Sequence, residues 1–216
     1  MLDKKIKIRK RTDMTAGTTI HQKEGMSNGM LGFILFLASE VMFFGGLFAA
    51  YFIARADSPS WPPTELLSPQ QIADGVKLEL EVVMVAISTG ILILSSITVQ
   101  WGVFQIQRGN QKGLLWGLFI SIFLGVVFLV MQMYDYTQLH FRADDTVFGT
   151  TFYTLTGFHG AHVAGGVVFM ILILGRSLAG HFSAEHHEAV EAASMYWHFV
   201  DIVWLALFAT LYLIPT

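Results

Sequence analysis

VVMVAISTGILILSSITVQWGVFQIQ, residues 82–107, contains no Asp, Glu, Lys or Arg. The hydrocarbon core of a bilayer is about 30 Å thick, and a helix needs about 20 consecutive apolar residues to cross it. The stretch exceeds that length and has no charged face to turn toward water, so it reads as a membrane span. Four further runs share the property: Met30–Ala54 with Glu40 as its one charge, Gly113–Tyr134, the uncharged Thr146–Gly175, and Ala192–Thr216 carrying Asp201 alone. Barrel strands alternate in short segments of about ten residues, whereas these runs are continuous. The expected architecture is an all-α, polytopic five-helix transmembrane bundle, with helices near 30–54, 82–107, 113–138, 146–175 and 192–214.

The whole chain agrees with this reading. Of 216 residues, 54% are hydrophobic and 13% charged, and the mean hydropathy is +0.56. Soluble domains carry about 25% charged residues. A net charge of −3 offers no footprint for nucleic acid. The absence of Cys removes disulfides, thiol nucleophiles and thiolate-held metals from consideration.

Lys and Arg set the expected orientation. Ten of the thirteen fall on one side: Lys4, Lys5, Lys7, Arg9, Lys10, Arg11 and Lys23 before the first run, Arg108 and Lys112 after the second, and Arg176 after the fourth. The other side holds Arg55, Lys77 and Arg142. The positive-inside rule then puts residues 1–29 in the cytoplasm as a basic tail and the C-terminus outside. The longest connection, 57–81, contains Pro59, Pro62 and Pro63 and reads as an irregular outer loop.

Small residues recur every four positions at Gly113, Gly117, Ser121 and Gly125, and again at Gly45/Ala49, Gly46/Ala50 and Ala161/Gly165. Such patterns let helices approach closely in lipid. Trp61, Trp101, Trp116, Trp197 and Trp204 fall mostly near helix ends and suggest an interfacial belt. Asp135, at the outer end of the third run, reads as an interfacial or capping residue, and the His181–Glu191 segment as a solvated polar loop.

Ionisable groups at membrane depth are costly, so each needs a partner or a task. Glu40 lies near mid-bilayer and is expected to be neutral or paired. His159/His162 and His198/Asp201 are spaced i,i+3, one helix face per pair. Spacing alone leaves three readings open: a metal site, since imidazole and carboxylate suit iron, copper or zinc; a hydrogen-bonded network between helices; or a proton path.

Several of these stretches resemble one family. Gly32–Phe44 (GFILFLASEVMFF) resembles the helix of haem-copper oxidase subunit III that carries an intramembrane glutamate, and Trp61-Pro62-Pro63 resembles the loop that follows it. Thr156–Val163 (TGFHGAHV) and Glu191–Trp204 (EAASMYWHFVDIVW) are similar to two further family signatures. Gln132–Tyr136 matches a fifth, with Asp135 where Glu is usual.

The resemblance implies an accessory subunit of a proton-pumping terminal oxidase that takes electrons from cytochrome c to dioxygen. It implies the five-helix bacterial form, in the bacterial cell membrane. The implied partners are oxidase subunits I and II, membrane phospholipid and, further out, a respiratory supercomplex. Haems and copper would sit in subunits I and II, leaving this chain without a catalytic residue, metal or redox cofactor. Glu40, His159, His162, His198 and Asp201 then form a structural and proton-coupling network, while Arg176 and Trp61 are candidate lipid contacts. The alternatives are subunit III of a quinol oxidase, an accessory protein of a nitric oxide reductase and, in a different class, a stand-alone transporter or channel.

Overall fold

The computed structural model describes residues 27–58, 61, 82–139 and 141–214; the basic tail up to residue 26, Pro62, Pro63 and most of the outer loop lie outside them. The described residues form five long helices and no strand. They are α1 (Asn28–Ala56), α2 (Val82–Gln107), α3 (Gln111–Gln138), α4 (Val147–Leu178) and α5 (Glu188–Phe208), the last continuing into a π-helical turn at Ala209–Leu213. All five are long and apolar enough to cross a membrane.

The helices outrun the apolar stretches by a few residues because caps and connections lie beyond the apolar core. Ser27, Asn110 and Thr146 accept the backbone N–H groups of Met30, Gly113 and Gly149 at 3.1–3.2 Å, satisfying donors that have no partner inside the helix. The α2–α3 turn is tight because Gly109 adopts φ +74°, a left-handed conformation that glycine takes without a Cβ penalty.

α2, α3, α4 and α5 close into a ring, each packed on its neighbours, with α5 returning to α2. α1 lies outside the ring, against α4 and α5. Only 6% of the most apolar window of α1 is buried inside the chain, against 33–50% for the other spans. Among the described residues, most of α1 is therefore left uncovered.

Two faces in the ring are built by small residues. Gly113, Gly117, Ser121 and Gly125 are all buried along α3, and the Gly117 stripe meets Gly102 of α2 backbone to backbone. A Cβ on Gly117 would lie 2.7 Å from Gly102 Cα and 2.9 Å from the Thr98 carbonyl oxygen. Beside it the hydroxyls of Thr98 and Ser121 meet at 2.7 Å, and Ser121 donates to the Ser95 carbonyl at 3.0 Å. Where no hydrophobic effect separates helix from lipid, such close packing and hydrogen bonds carry the association. By contrast, a Cβ at Gly45 or Gly46 would meet no atom within 4 Å among the described residues.

Two tryptophans depart from the interfacial expectation. Trp197 and Trp204 are interior, 0% and 3% exposed. Their indole N–H groups donate to Ser95 Oγ at 2.8 Å and Thr89 Oγ1 at 2.9 Å, which supplies the partner that a buried indole needs. Trp197 fits because Gly125 and Gly166 leave room for it. Trp101 and Trp116 are exposed. Asp135 also departs: it is buried, 6% exposed, rather than open to the interface.

Polar clasps hold the α1-start end together. Ser27 donates to Glu188 (2.8 Å), Gln107 donates to Glu191 (3.2 Å), and the Gln111 amide reaches the Phe182 carbonyl. His187 pairs with Glu191 at 3.1 Å. The polar segment before α5 thus ties the ends of α1, α2 and α3 to the start of α5.

Candidate functional site

The costly ionisable residues Glu40, His162, His198 and Asp201 fall into two places, one between α1 and α4 and one between α5 and α2, and His159 lies buried apart from both. The first joins α1 to α4. His162 Nε2 lies 2.9 Å from Glu40 Oε2, and His162 Nδ1 lies 2.7 Å from the Phe158 carbonyl oxygen. A carbonyl oxygen only accepts, so Nδ1 carries a hydrogen. One more hydrogen lies between Nε2 and the carboxyl oxygen. It makes either a neutral acid facing a neutral imidazole or a carboxylate facing an imidazolium, and the pair is electrically neutral in both forms. The pair is enclosed but not sealed, with side chains 17% and 20% exposed. The rings of Phe43 and Phe44 flank the imidazole, and Tyr196 of α5 donates to the His162 carbonyl at 3.1 Å.

The second cluster joins α5 to α2. His198 Nε2 meets Gln100 Oε1 at 3.0 Å and Nδ1 meets Ser96 Oγ at 2.6 Å. Ser194 donates to the same Gln100 oxygen at 3.2 Å. Asp201 lines the same groove as Ser96, Gln100 and His198. Gln100 Oε1 as an acceptor fixes Nε2–H, with the amide oriented by its network. Glu40 at membrane depth is thereby paired with an imidazole, as the cost of a bare charge requires.

His159 is different. It is fully buried, stacked on Trp204 with ring centroids 4.9 Å apart and edge-on to Phe128 at 6.0 Å. Neither of its ring nitrogens finds a hydrogen-bond partner among the described residues. Three residues along a helix is a rotation of about 60° from a full circle, enough to turn His162 to α1 while His159 enters the ring. The i,i+3 spacing therefore shares a face but not a site. Among the described residues, no group of three His, Asp or Glu side chains converges as a metal would need.

The two candidate lipid contacts also separate. Arg176, exposed in the last turn of α4, extends over the Phe182 ring at 5.0 Å. Trp61 is 8% exposed, donates to the Tyr51 hydroxyl at 2.9 Å and meets Phe148 edge-on. It pins the start of the outer loop to α1 and α4.

Ser96, Gln100 and Ser194 escaped sequence reasoning because serine and glutamine are common in spans and no spacing links residues on separate helices. A usable signal was present: Ser96 and Gln100 lie i,i+4 in an otherwise apolar run, opposite a helix with its own His and Asp.

Comparison with known proteins bears on the same residues. The sequence model of the family described as cytochrome c oxidase subunit III matches residues 6–215. Cytochrome c oxidase subunit 3 of Equus caballus is 42% identical over 212 residues, covering 95% of this chain and 75% of the relative. That of Drosophila yakuba is 40% identical over 188 residues, covering 84% and 67%. The protein from Mammuthus primigenius is 40% identical over 197 residues, covering 88% and 70%. The match runs through both polar clusters and all five spans, and the chain belongs to the cytochrome c oxidase subunit III family.

Proposed function

We propose that this chain is the non-catalytic third subunit of a proton-pumping terminal oxidase that passes electrons from cytochrome c to dioxygen. It buttresses subunit I, retains phospholipid and supports proton uptake over many turnovers. Haems and copper belong to subunits I and II, and this chain binds no redox metal. Metal analysis of the isolated subunit should find fewer than about one ion per hundred chains, since true structural sites bind with roughly 10 kcal/mol or more. Stoichiometric iron, copper or zinc that is lost on His159→Ala would overturn it.

The observation that carries the proton role is the Glu40–His162 pair, which holds one hydrogen at membrane depth without net charge. Glu40→Gln keeps the shape and can donate to Nε2, yet cannot titrate. We expect normal assembly, an unchanged haem spectrum and near-normal initial oxygen consumption, with weaker pumping or faster loss of activity under sustained turnover. Wild-type pumping and durability would remove the proton role. A thousandfold fall in the initial rate with the complex intact would make Glu40 part of the catalytic machinery. For lipid, the exposed Arg176 guanidinium beside Phe182 is the group proposed to take a phosphate.

The asymmetry of Lys and Arg supports an inside N-terminus. In this cysteine-free chain, single cysteines at Ser58 and Ser183 should label from opposite faces of intact vesicles, Ser58 from outside. Labelling of both from one face would refute the five-span topology.

A further inference from the structure

The ring has a second polar end, opposite the clasps around Glu188 and Glu191. Ser88 near the start of α2, Gln132, Asp135 and Tyr136 near the end of α3, Thr156 of α4 and Tyr212 in the π-helical turn after α5 line one small pocket there. Its volume is about 10 Å³. That is close to the room a single water needs, and too little for an acyl chain or an organic ligand.

The hydrogens around this pocket are nearly all spent on the protein itself. Ser88 donates to the Val85 carbonyl at 2.8 Å and Thr156 to the Phe152 carbonyl at 2.7 Å. Tyr136 donates to Thr156 Oγ1 at 2.7 Å. The Gln132 amide donates to the Thr156 carbonyl at 3.0 Å and to the Tyr136 hydroxyl at 3.4 Å. Trp204, also on the wall, donates to Thr89. Among the lining side chains these bonds leave only the Tyr212 hydroxyl hydrogen uncommitted. Asp135 brings two carboxyl oxygens with about four lone-pair sites, more than one hydroxyl can fill. Neither of its oxygens is both sealed and unpartnered, so any lone pair left over opens on space that a water can enter. The Gln132 carbonyl oxygen, by contrast, is sealed against Gly160 and plays no part. A pocket of this size, rich in acceptors and short of donors, suits a molecule that brings two hydrogens of its own. We infer that it binds one ordered water, which donates to the Asp135 carboxyl and to a hydroxyl oxygen of the wall. The water is the outer counterpart of the clasps and ties α3 to its neighbours in the ring.

The whole oxidase, imaged at a resolution that shows ordered water, should carry one density peak in the pocket. It should lie about 2.6–3.2 Å from an Asp135 oxygen and from a hydroxyl oxygen of Ser88, Tyr136 or Tyr212. A pocket without a peak would overturn the inference. So would a peak ringed by about six oxygens at about 2.3–2.6 Å, which is a cation. Ser88→Val replaces the hydroxyl and adds a methyl group to the wall. The peak should then vanish and the thermal midpoint of the subunit within the complex fall by about 2–4 °C, because Asp135 loses a donor that a methyl group cannot replace. A dry pocket would gain from the same filling, so a Ser88→Val complex at least as stable as wild type would also overturn the inference. Ser88→Ala leaves room for the water and should keep the peak, with a midpoint nearer to wild type. If Ser88→Val fails to accumulate, the wild-type map decides alone.

Discussion

A Gly117→Leu chain is expected to insert its helices and then fail to pack them. The α2–α3 contact is the most extensive in the bundle, and at its centre Gly117 faces Gly102 so closely that a methyl group would meet backbone, not a movable side chain. Overpacking a close-packed site costs about 1–3 kcal/mol, and more where the neighbour cannot yield. A four-carbon side chain between two helix backbones belongs at the upper end or beyond. Separation would also strand the Ser121 and Thr98 hydroxyls, which now bond across the seam. Accumulation in the membrane should fall steeply and the thermal midpoint of the detergent-solubilised chain should drop by many degrees. Gly117→Ala should show a smaller loss of the same kind. Gly90→Leu, which faces open space, is the control. A Gly117→Leu chain that melts like wild type would mean the seam is not where the structure puts it.

The second large effect concerns the clasp on α1. His162→Leu removes the hydrogen-bond partner that Glu40 has among the described residues, leaving a carboxyl at mid-depth with nothing there to share its hydrogen. Breaking a buried pair from one side costs about 3–5 kcal/mol, whereas hydrogen bonds between membrane helices contribute only about 0.6–2 kcal/mol. The stranded acid, rather than the lost bond, thus dominates. We expect His162→Leu to cost roughly 3 kcal/mol and Glu40→Leu about 1 kcal/mol, and the double Glu40→Leu/His162→Leu chain to recover most of the difference. Thermal midpoints and protease cleavage of loosened α1 give both readouts. If the two single losses simply add in the double variant, the side chains do not interact.

The five spans could be read from the sequence because hydrocarbon imposes one requirement that nothing else in the chain can imitate: a long stretch without charge. The same reasoning found the costly residues, Glu40, His159, His162, His198 and Asp201. It could not find who meets whom. Glu40 and His162 lie 122 positions apart, and helix order alone does not say that α1 leans on α4. Trp197 and Trp204 were misplaced for a physical reason: tryptophan favours interfaces because its N–H needs a partner, and Ser95 and Thr89 provide that partner inside. The Gly45 and Gly113 patterns look alike on paper, yet one is buried and the other is open. A small-residue stripe allows close approach but does not name the helix that approaches.

The placement of α1 has a consequence for the order of events during synthesis. α1, made before the other four described spans, packs mainly on the last two. Its polar ties, from Ser27 to Glu188 and from Glu40 to His162, span 161 and 122 residues. α1 must therefore wait alone in the bilayer, its glutamate without an imidazole, until α4 and α5 have been delivered. During that interval the acid has to stay neutral or borrow another partner. The newborn chain is thus most exposed to quality control at α1 until α4 and α5 close these two ties.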